Sequence, residues 1–439
     1  MEGERKTLTQ LSVPICLETL FYMLSGMVDT LMLSSVSDQA VGAVGTANTY
    51  IGVFIIMFGV ISSGMVAVMS QNIGAGRPGI AYQARQLGLV FNALTGILMS
   101  VVLAVFSGGI LRAVSIAPAL LESAETYLKI VGGASSLNAL IPIFSSYLRV
   151  FGYTKHSLIG TVVGNVINII LNSVFLFVFH WGVMGVATAT VISKVVNLII
   201  VAAMGAVLIK AKQSPERAQP RRILAQIVKI GFPSAFETAL YNVAMTFIVC
   251  FMNHMDTDGM NVTARSYAMQ IANFSYCVGA ALAQANAIMT GWRIGAKKYE
   301  ECDRGTRKAV IYGLVTATCF SVTFAITGRF IVHIFTNDIQ MIELVVKLLV
   351  VDIFLEFGRV TNLVYGQALK TSGDAIFPVI MGAIFMYLFA VGGTYFLGIH
   401  MGLLAVGAYI AMAGDECARA VGMVLRWKSG KWKSKSLVE

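Results

Sequence analysis

Charged side chains are scarce in this sequence of 439 residues, because Asp, Glu, Lys and Arg together make up only 12% of it. Hydrophobic residues make up 57%, and the mean hydropathy is +0.76. Soluble globular domains carry about 25% charged residues, so the composition excludes a cytosolic enzyme. A membrane-spanning helix takes about 20 apolar residues, so twelve spans would fill roughly 240 residues and leave no room for a large soluble catalytic domain.

Patterns that bind metals or form disulfides are also missing. The six cysteines show no CxxC spacing and no histidine-rich neighbourhood, and most lie inside apolar segments, as small core hydrophobes do. The sequence contains no recognisable set of nucleophile and base. We therefore predict neither an enzyme nor a bound cofactor.

The sequence contains twelve apolar stretches that are long enough to cross a membrane. They fall near residues 11–33, 46–70, 84–108, 124–147, 158–180, 183–208, 227–251, 264–290, 305–327, 341–366, 376–397 and 402–425.

Most Lys and Arg residues lie in the termini and in the loops after even-numbered spans, Arg149 and Lys370 among them, whereas few, such as Arg265, lie on the other side. Because positive charge stays cytoplasmic, both termini should lie inside. The net charge of +10 is then a topology signal, which removes the need for a nucleic-acid partner. The basic tail predicts an anchor on anionic lipid.

The sequence matches itself at an offset of about 220 residues. Pro14 and Glu18 superpose on Pro233 and Glu237, and further matches follow as Ile73–Ala75 on Ile294–Ala296, Gly152 on Gly373 and Gly182 on Gly402. Each half holds six spans, so both halves enter from the same side as a parallel repeat. We predict an all-α membrane protein with two pseudo-twofold-related six-helix lobes around a central cavity. The predicted domains are an N-terminal lobe (1–209), a cytoplasmic linker (210–226), a C-terminal lobe (227–425) and a basic tail (426–439).

Ionisable residues inside a span are costly and therefore mark candidate sites. In span 10, Asp352, Glu356 and Arg359 follow at i, i+4 and i+7 on one face. Either Glu356 and Arg359 form a buried packing pair, or one carboxylate binds a cation or proton while Arg359 sets its pKa. Asp415 and Arg419 in span 12, spaced i and i+4, favour a local structural pair.

The repeat itself contains an acidic residue within each of its first spans. Glu237 follows Pro233 by four residues, and Glu18 follows Pro14 by four. A proline near the start of a span can leave carbonyl groups that help to coordinate a cation. This duplicated motif indicates a function for Glu237, with Na+ at Glu237, Asp352 and Glu356 as the one metal site considered.

The N-terminal half contains a second group of polar residues within its spans. Lys194 lies near the middle of span 6 beside Asn197, with Asp29 and Glu18 as candidate partners. In span 5, one face carries three asparagines: Asn165, Asn168 and Asn172. This set predicts either interhelical hydrogen bonding or a hydrated pocket for an ion or substrate.

Several motifs, in order, resemble those of the multidrug and toxic compound extrusion (MATE) transporters. These are Met27–Met32 with Asp38–Gly45, Gln71–Gly76, Gly182–Thr190 and Ala368–Asp374. The resemblance implies secondary active efflux from a bacterial-type plasma membrane, coupled to Na+ or H+. By position, Asp29 corresponds to the acidic residue of helix 1 in that family, and Glu237 with the span 10 acids resembles a C-lobe cation site. The sequence departs from the family pattern in three places. Glu237 lies about one turn nearer its proline than the helix 7 glutamate of several members, Asn172 occupies the position of an aspartate in a proton-coupled branch, and Lys194 stands where an uncharged polar residue is more usual.

We therefore hypothesise a monomeric antiporter that exports apolar, cationic small molecules by alternating access. Cation or proton binding at Glu237 with Asp352 or Glu356 would compete with the substrate. A flippase for a lipid-linked sugar is the leading rival. It would need several basic residues in its cavity, and the sequence suggests only Lys194 and Arg359 there. A receptor or scaffold would leave the duplicated glutamates without a role.

Overall fold

The computed structural model describes residues 6–113, 116–210, 214–255 and 259–438. Parts of the predicted N-terminal lobe (1–5 and 114–115), of the linker (211–213), of the C-terminal lobe (256–258) and Glu439 of the tail lie outside the described residues. Thirteen α-helices account for nearly all of the described chain. They are α1 (Leu8–Ser34), α2 (Asp38–Gly74), α3 (Pro78–Ala113), α4 (Pro118–Tyr127), α5 (Ser135–Val150), α6 (Thr154–Ser173), α7 (Gly182–Leu208), α8 (Pro220–Asn253), α9 (Met260–Gly295), α10 (Tyr299–Val332), α11 (Ile339–Ser372), α12 (Ile376–Phe385) and α13 (Leu404–Lys428).

Each of the twelve predicted spans coincides with one helix or one interrupted helix. Short π-helical stretches extend α4 to Gly132, α6 to Val178 and α12 to His400, and α4 and α5 together form one span bent by 41°. Among the described residues, eight helices are long and apolar enough to cross a membrane, and the bent pair makes a ninth. The other three, α9, α11 and α13, are equally long but more polar, and they carry most of the buried charges.

Packing divides the described chain into two compact units. One comprises residues 17–232, and the other comprises residues 7–16 with 233–438. Both divisions fall next to the repeated prolines Pro14 and Pro233, inside α1 and α8. In the first unit, the early turns of α8 lie directly on α2: a Cβ on Gly231 would stand 1.7 Å from the carbonyl oxygen of Val60. Only glycine permits such a close approach between helix backbones. The predicted lobe boundaries at 209 and 227 concern topology and stay predictions.

The C-terminal tail folds back onto the second unit. Trp432 is 1% exposed, stacks on Trp427 with ring centroids 4.2 Å apart, and donates its indole hydrogen to the carbonyl of Trp427. Tyr299 makes an edge-to-face contact with the Trp432 ring. The aromatic residues of the tail therefore complete a protein core, and the anchoring of the basic tail on anionic lipid stays a prediction.

Candidate functional site

The two repeated glutamates each form an ion pair with a basic residue at the end of another helix. Glu18 Oε1 lies 2.8 Å from Arg149 Nη2 at the end of α5, and Glu237 Oε2 lies 2.6 Å from Lys370 Nζ at the end of α11. Arg149 and Lys370 are themselves repeat mates, 221 residues apart. The sequence placed both in cytoplasmic loops, because they stand just beyond the apolar stretches. The structure corrects this: the helices continue, and each basic side chain reaches a carboxylate within its own unit.

The surroundings of the two pairs differ. Glu18 is 8% exposed, and its Oε1 also accepts hydrogen bonds from Ser157 Oγ at 3.0 Å and Thr161 Oγ1 at 3.3 Å. The residues 221 positions later are Pro378 and Gly382, which have no hydroxyl group. The Glu237 carboxylate lies beside Gly382 and lines an open cavity. The N-terminal pair is therefore enclosed by hydrogen bonds, whereas the C-terminal pair faces a space that a ligand can enter.

Helices α11 and α13 are joined by a network of buried ion pairs. Arg359 binds Glu356 on its own helix and lies 3.8 Å from Glu416 Oε1 across the helix interface. Arg419 binds Asp415 at 2.6 Å and Glu416 at 2.9 Å. The pairs Glu356–Arg359 and Asp415–Arg419 predicted from helical spacing are both present. Each of the three acids here contacts one of the two guanidinium groups, and these ion pairs join the two helices.

A cavity of about 500 Å³ lies inside the second unit, between α8, α9, α11, α12 and α13. Its walls combine tyrosine and methionine side chains with charged groups. The charged residues that line it are Glu237, Arg265, Asp352, Arg359, Lys370, Glu416 and Arg419. Its size lies within the range of small-molecule sites, roughly 300–1,000 Å³. Glu356 is fully buried behind this wall, where Ser275 Oγ donates to it at 3.4 Å.

Asp352 is distinct among the acids of this cavity. Its side chain is buried, with 3% of the residue exposed, and it has neither an ion pair nor a hydrogen bond within the described part of the chain. Glu237, Glu356, Asp415 and Glu416 each contact a basic residue. A buried carboxylate without a partner is costly unless a proton, a cation or a ligand neutralises it. Asp352 is therefore the acid of this site most open to binding.

Arg265 on α9 is a cavity residue that the sequence did not reveal. We expected it on the non-cytoplasmic face, because it stands at the edge of an apolar stretch. The structure buries it to 8% exposure, and its Nη2 contacts only Met245 Sδ, at 3.7 Å, within the described residues. Its position in the second turn of a 36-residue helix could have indicated burial. The cavity thus has four basic residues, which corrects the count of Lys194 and Arg359 alone.

In the first unit, one polar face of α6 follows α1 along its length. Asn172 Nδ2 donates to Asp29 Oδ1 at 2.6 Å and to Asn168 Oδ1 at 3.3 Å. Two turns earlier, Asn165 Nδ2 donates to the carbonyl of Phe21 at 2.8 Å. Asp29, Asn168 and Asn172 form one group, as the sequence indicated. Glu18 lies apart from it, near the start of α6.

Lys194 and Asn197 on α7 serve separate contacts. Lys194 Nζ donates to Asn138 Oδ1 at 2.9 Å, and neither Asp29 nor Glu18 lies within ion-pair distance of it. Of the two candidate acids, Asp29 interacts with Lys194 electrostatically but without direct contact. Asn197 packs against the backbone of α6 at Gly160 and Gly164. Interhelical packing accounts for both residues.

Within the described part of the chain, a cluster of acids suited to a metal ion does not form. The described residues contain no group of three or more His, Cys, Asp and Glu side chains that could hold one. Glu237 and Asp352 line the same cavity, but Glu237 forms an ion pair with Lys370, and Glu356 forms one with Arg359. Two of the three acids considered for Na+ are therefore bound by basic side chains in this structure, and the Na+ site stays a prediction.

Comparison with known proteins agrees with this arrangement of paired six-helix halves. A family model described as MatE matches residues 14–174 and 233–396, one match for each half. The uncharacterized transporter YisQ of Bacillus subtilis is 32% identical over 437 residues, covering 98% of this chain and 96% of the relative. A probable multidrug resistance protein NorM of Thermotoga maritima is 26% identical, covering 99% and 94%.

Solved structures show the same fold. A MATE crystal structure in a bent conformation has a TM-score of 0.89 at 18% identity, with 98% of this chain and 97% of that chain covered. An outward-facing multidrug resistance transporter of the same family has a TM-score of 0.88 at 17% identity, with 98% and 97% covered. The predicted fold class is thereby confirmed, including its twelve spans in two halves. The sequence motifs, the two matching halves and this shared fold place the chain in the MATE family of multi-pass membrane transporters.

Proposed function

We propose that this protein is a monomeric secondary antiporter that exports a small molecule in exchange for Na+ or H+ by alternating access. Its expected setting is a bacterial-type plasma membrane, with both termini cytoplasmic. The observation that carries the proposal is Asp352, a buried carboxylate that faces a ligand-sized cavity and has no basic partner within 4 Å among the described residues. A bound proton or Na+ would neutralise it, and a substrate group would compete for the same oxygen atoms.

The hypothesis drawn from the sequence centred the coupling site on Glu237 with Asp352 or Glu356. This proposal assigns the coupling role to Asp352 instead. Glu237 is held by Lys370 and Glu356 by Arg359, so an ion at either acid would have to displace a basic side chain. Asp352 needs no such displacement. Asp29, which accepts a hydrogen bond from Asn172, is a second candidate in the first unit.

The test is substrate efflux from proteoliposomes, with the Na+ and pH gradients imposed separately. We expect Asp352→Asn to lower gradient-driven exchange at least tenfold, which corresponds to about 1.4 kcal/mol. Glu343→Gln is the matched control, because Glu343 is an exposed acid on the same helix and should exchange normally. If Asp352→Asn shows normal exchange under both gradients, the coupling site lies elsewhere.

The four basic residues of the cavity favour a second candidate, a flippase for a lipid-linked diphosphate. Three of them are already bound to carboxylates: Arg359 to Glu356, Lys370 to Glu237 and Arg419 to Asp415. Since a diphosphate demands several available cations, the geometry supports the antiporter better. Movement of a lipid-linked diphosphate across protein-containing vesicles without an ion gradient would favour the flippase instead.

A further inference from the structure

The C-terminal cavity contains two charged groups of opposite sign that do not bind each other. Arg265 and Asp352 both line it, and both are more than nine-tenths buried. Neither has an ion pair within the described part of the chain, so their charged atoms are more than 4 Å apart. All other charged groups in the cavity wall contact a charge of opposite sign.

A buried guanidinium group presents a sharper problem than a buried carboxylate. A carboxylate can take up a proton and become neutral, but arginine stays protonated in proteins. The thioether of Met245 is a weak acceptor and cannot compensate the charge of Arg265. An anionic group of a ligand is the natural partner, because carboxylates and phosphates accept the paired hydrogen bonds that arginine offers.

Tyr409 on α13 relates the two groups in space. It is 4% exposed, lines the cavity, and interacts electrostatically with both Arg265 and Asp352. Both charges therefore lie near the same aromatic residue. Tyr241, Tyr276, Met269 and Met412 complete an apolar wall that suits a hydrophobic or aromatic body.

The repeat shows that this pair belongs to the C-terminal unit alone. With the offset of 221 given by Ile73 and Ile294, Arg265 and Asp352 correspond to Val44 and Val131. Both valines are buried in the core of the first unit, 7% and 2% exposed. The first unit therefore has neither of the two charges at the equivalent positions.

We propose that the C-terminal cavity binds a zwitterionic amphiphile, whose anionic group pairs with Arg265 and whose ammonium group pairs with Asp352 around an apolar body. The proposal rests on the proposed export function, since it names the substrate class of that site. It replaces the apolar, cationic substrate of the hypothesis drawn from the sequence. The ammonium group and the coupling ion compete for Asp352, which links substrate release to ion binding.

Four forms of one compound test this assignment with purified protein in lipid nanodiscs and no ion gradient. They are 2-naphthylalanine (zwitterion), its methyl ester (cation), its N-acetyl derivative (anion) and the N-acetyl methyl ester (neutral). Equilibrium dialysis gives a Kd for each. We expect the zwitterion to bind at least about tenfold more tightly than any other form, as one charge-assisted contact implies.

Substitutions then assign each charge. Arg265→Gln should abolish the advantage of the zwitterion over the methyl ester, and Asp352→Asn its advantage over the N-acetyl form. Arg265→Lys should retain part of the first advantage. Arg329→Gln, an exposed arginine on α10, is the matched control and should change none of the four constants. The neutral form reports whether the apolar wall is intact in each variant.

The proposal is overturned if the methyl ester binds as tightly as the zwitterion, if none of the forms binds, or if Arg265→Gln and Arg265→Lys leave the preference unchanged. Those outcomes leave the proposed function standing, because it is judged by ion-driven exchange in Asp352→Asn. Conversely, normal exchange in Asp352→Asn would remove the coupling role of Asp352. A preference for the zwitterion over the methyl ester that depends on Arg265 would still show that Arg265 binds the anionic group.

Discussion

The two halves of this protein use the same ion pair in different surroundings. In the first unit, Glu18 and Arg149 are enclosed, with Ser157 and Thr161 donating to the carboxylate. In the second unit, Glu237 and Lys370 stand at the edge of a cavity, because no hydroxyl group takes the equivalent positions. The pair is a shared structural device that ties the first helix of each half to a later one. What differs is access for a ligand, which is a property of the neighbouring residues.

The same contrast extends to the rest of each unit. The positions that carry Arg265 and Asp352 in the second unit carry Val44 and Val131 in the first. The first unit keeps its own polar group instead, with Asp29 held by Asn172. The two halves thus share one scaffold. They differ in which buried positions carry charged residues.

The largest expected effect comes from breaking the enclosed pair. Arg149→Met should lower the free energy of unfolding by about 3–5 kcal/mol, because it leaves a buried carboxylate without its cation. Lys370→Met should cost only about 1–2 kcal/mol, because water in the cavity can solvate Glu237. Thermal unfolding of the purified variants in one detergent compares the two. Equal losses of Tm would mean that the two pairs are buried alike.

A second prediction concerns the unpaired acid of the cavity. Asp352→Val places in α11 the residue found at the equivalent position of the first unit, and it should raise the free energy of unfolding by about 1–3 kcal/mol. Ion-driven exchange should be lost in the same variant. The matched change Asp415→Val removes a carboxylate bound to Arg419 and should lower Tm instead. A lower Tm in Asp352→Val would show that Asp352 has a stabilising partner.

The smallest effect tests the missing hydroxyl groups directly. A Cβ at Gly382 would lie 3.5 Å from Glu237 Oε1, an ordinary contact, so Gly382→Ser fits and can donate to the carboxylate. We expect a gain of about 1 kcal/mol beyond the change in helix propensity. Gly414→Ser, at a helical glycine with open space around it, measures that propensity alone. Thr161→Gly should show a loss of similar size in the first unit. If Gly382→Ser gains no more than Gly414→Ser, the missing hydroxyl does not explain why the second site is open.

The sequence predicted the helices better than their ends. Apolar stretches gave all twelve spans, because lipid requires a long run of nonpolar side chains. Arg149 and Lys370 were nevertheless placed in loops, since hydropathy falls where a helix continues beyond the membrane core. The same reasoning did not reveal that Arg265 is buried. Its burial depends on the cavity between α9, α11 and α13, three helices whose polar residues are sheltered by protein.

Local spacing predicted contacts within a helix, but not those between helices. Glu356–Arg359 and Asp415–Arg419 follow from helical geometry, which brings residues three or four apart together. The link between Arg359 and Glu416 joins two helices, and the partner of Lys194 proved to be Asn138 on α5. Such partners depend on which helix faces come into contact, and no spacing along one helix encodes that.

By itself, the sequence determined that this chain lies in a membrane, that its two halves repeat, and that the candidate site residues are a short set of charges within its spans. Composition, periodicity and self-similarity are properties of the chain, so they could be read without coordinates. Only the tertiary structure decided which of those charges are already neutralised. Ion pairing acts over a few ångströms between helices distant in sequence, and among the described residues that line the C-terminal cavity it leaves Asp352 and Arg265 without a partner of opposite charge.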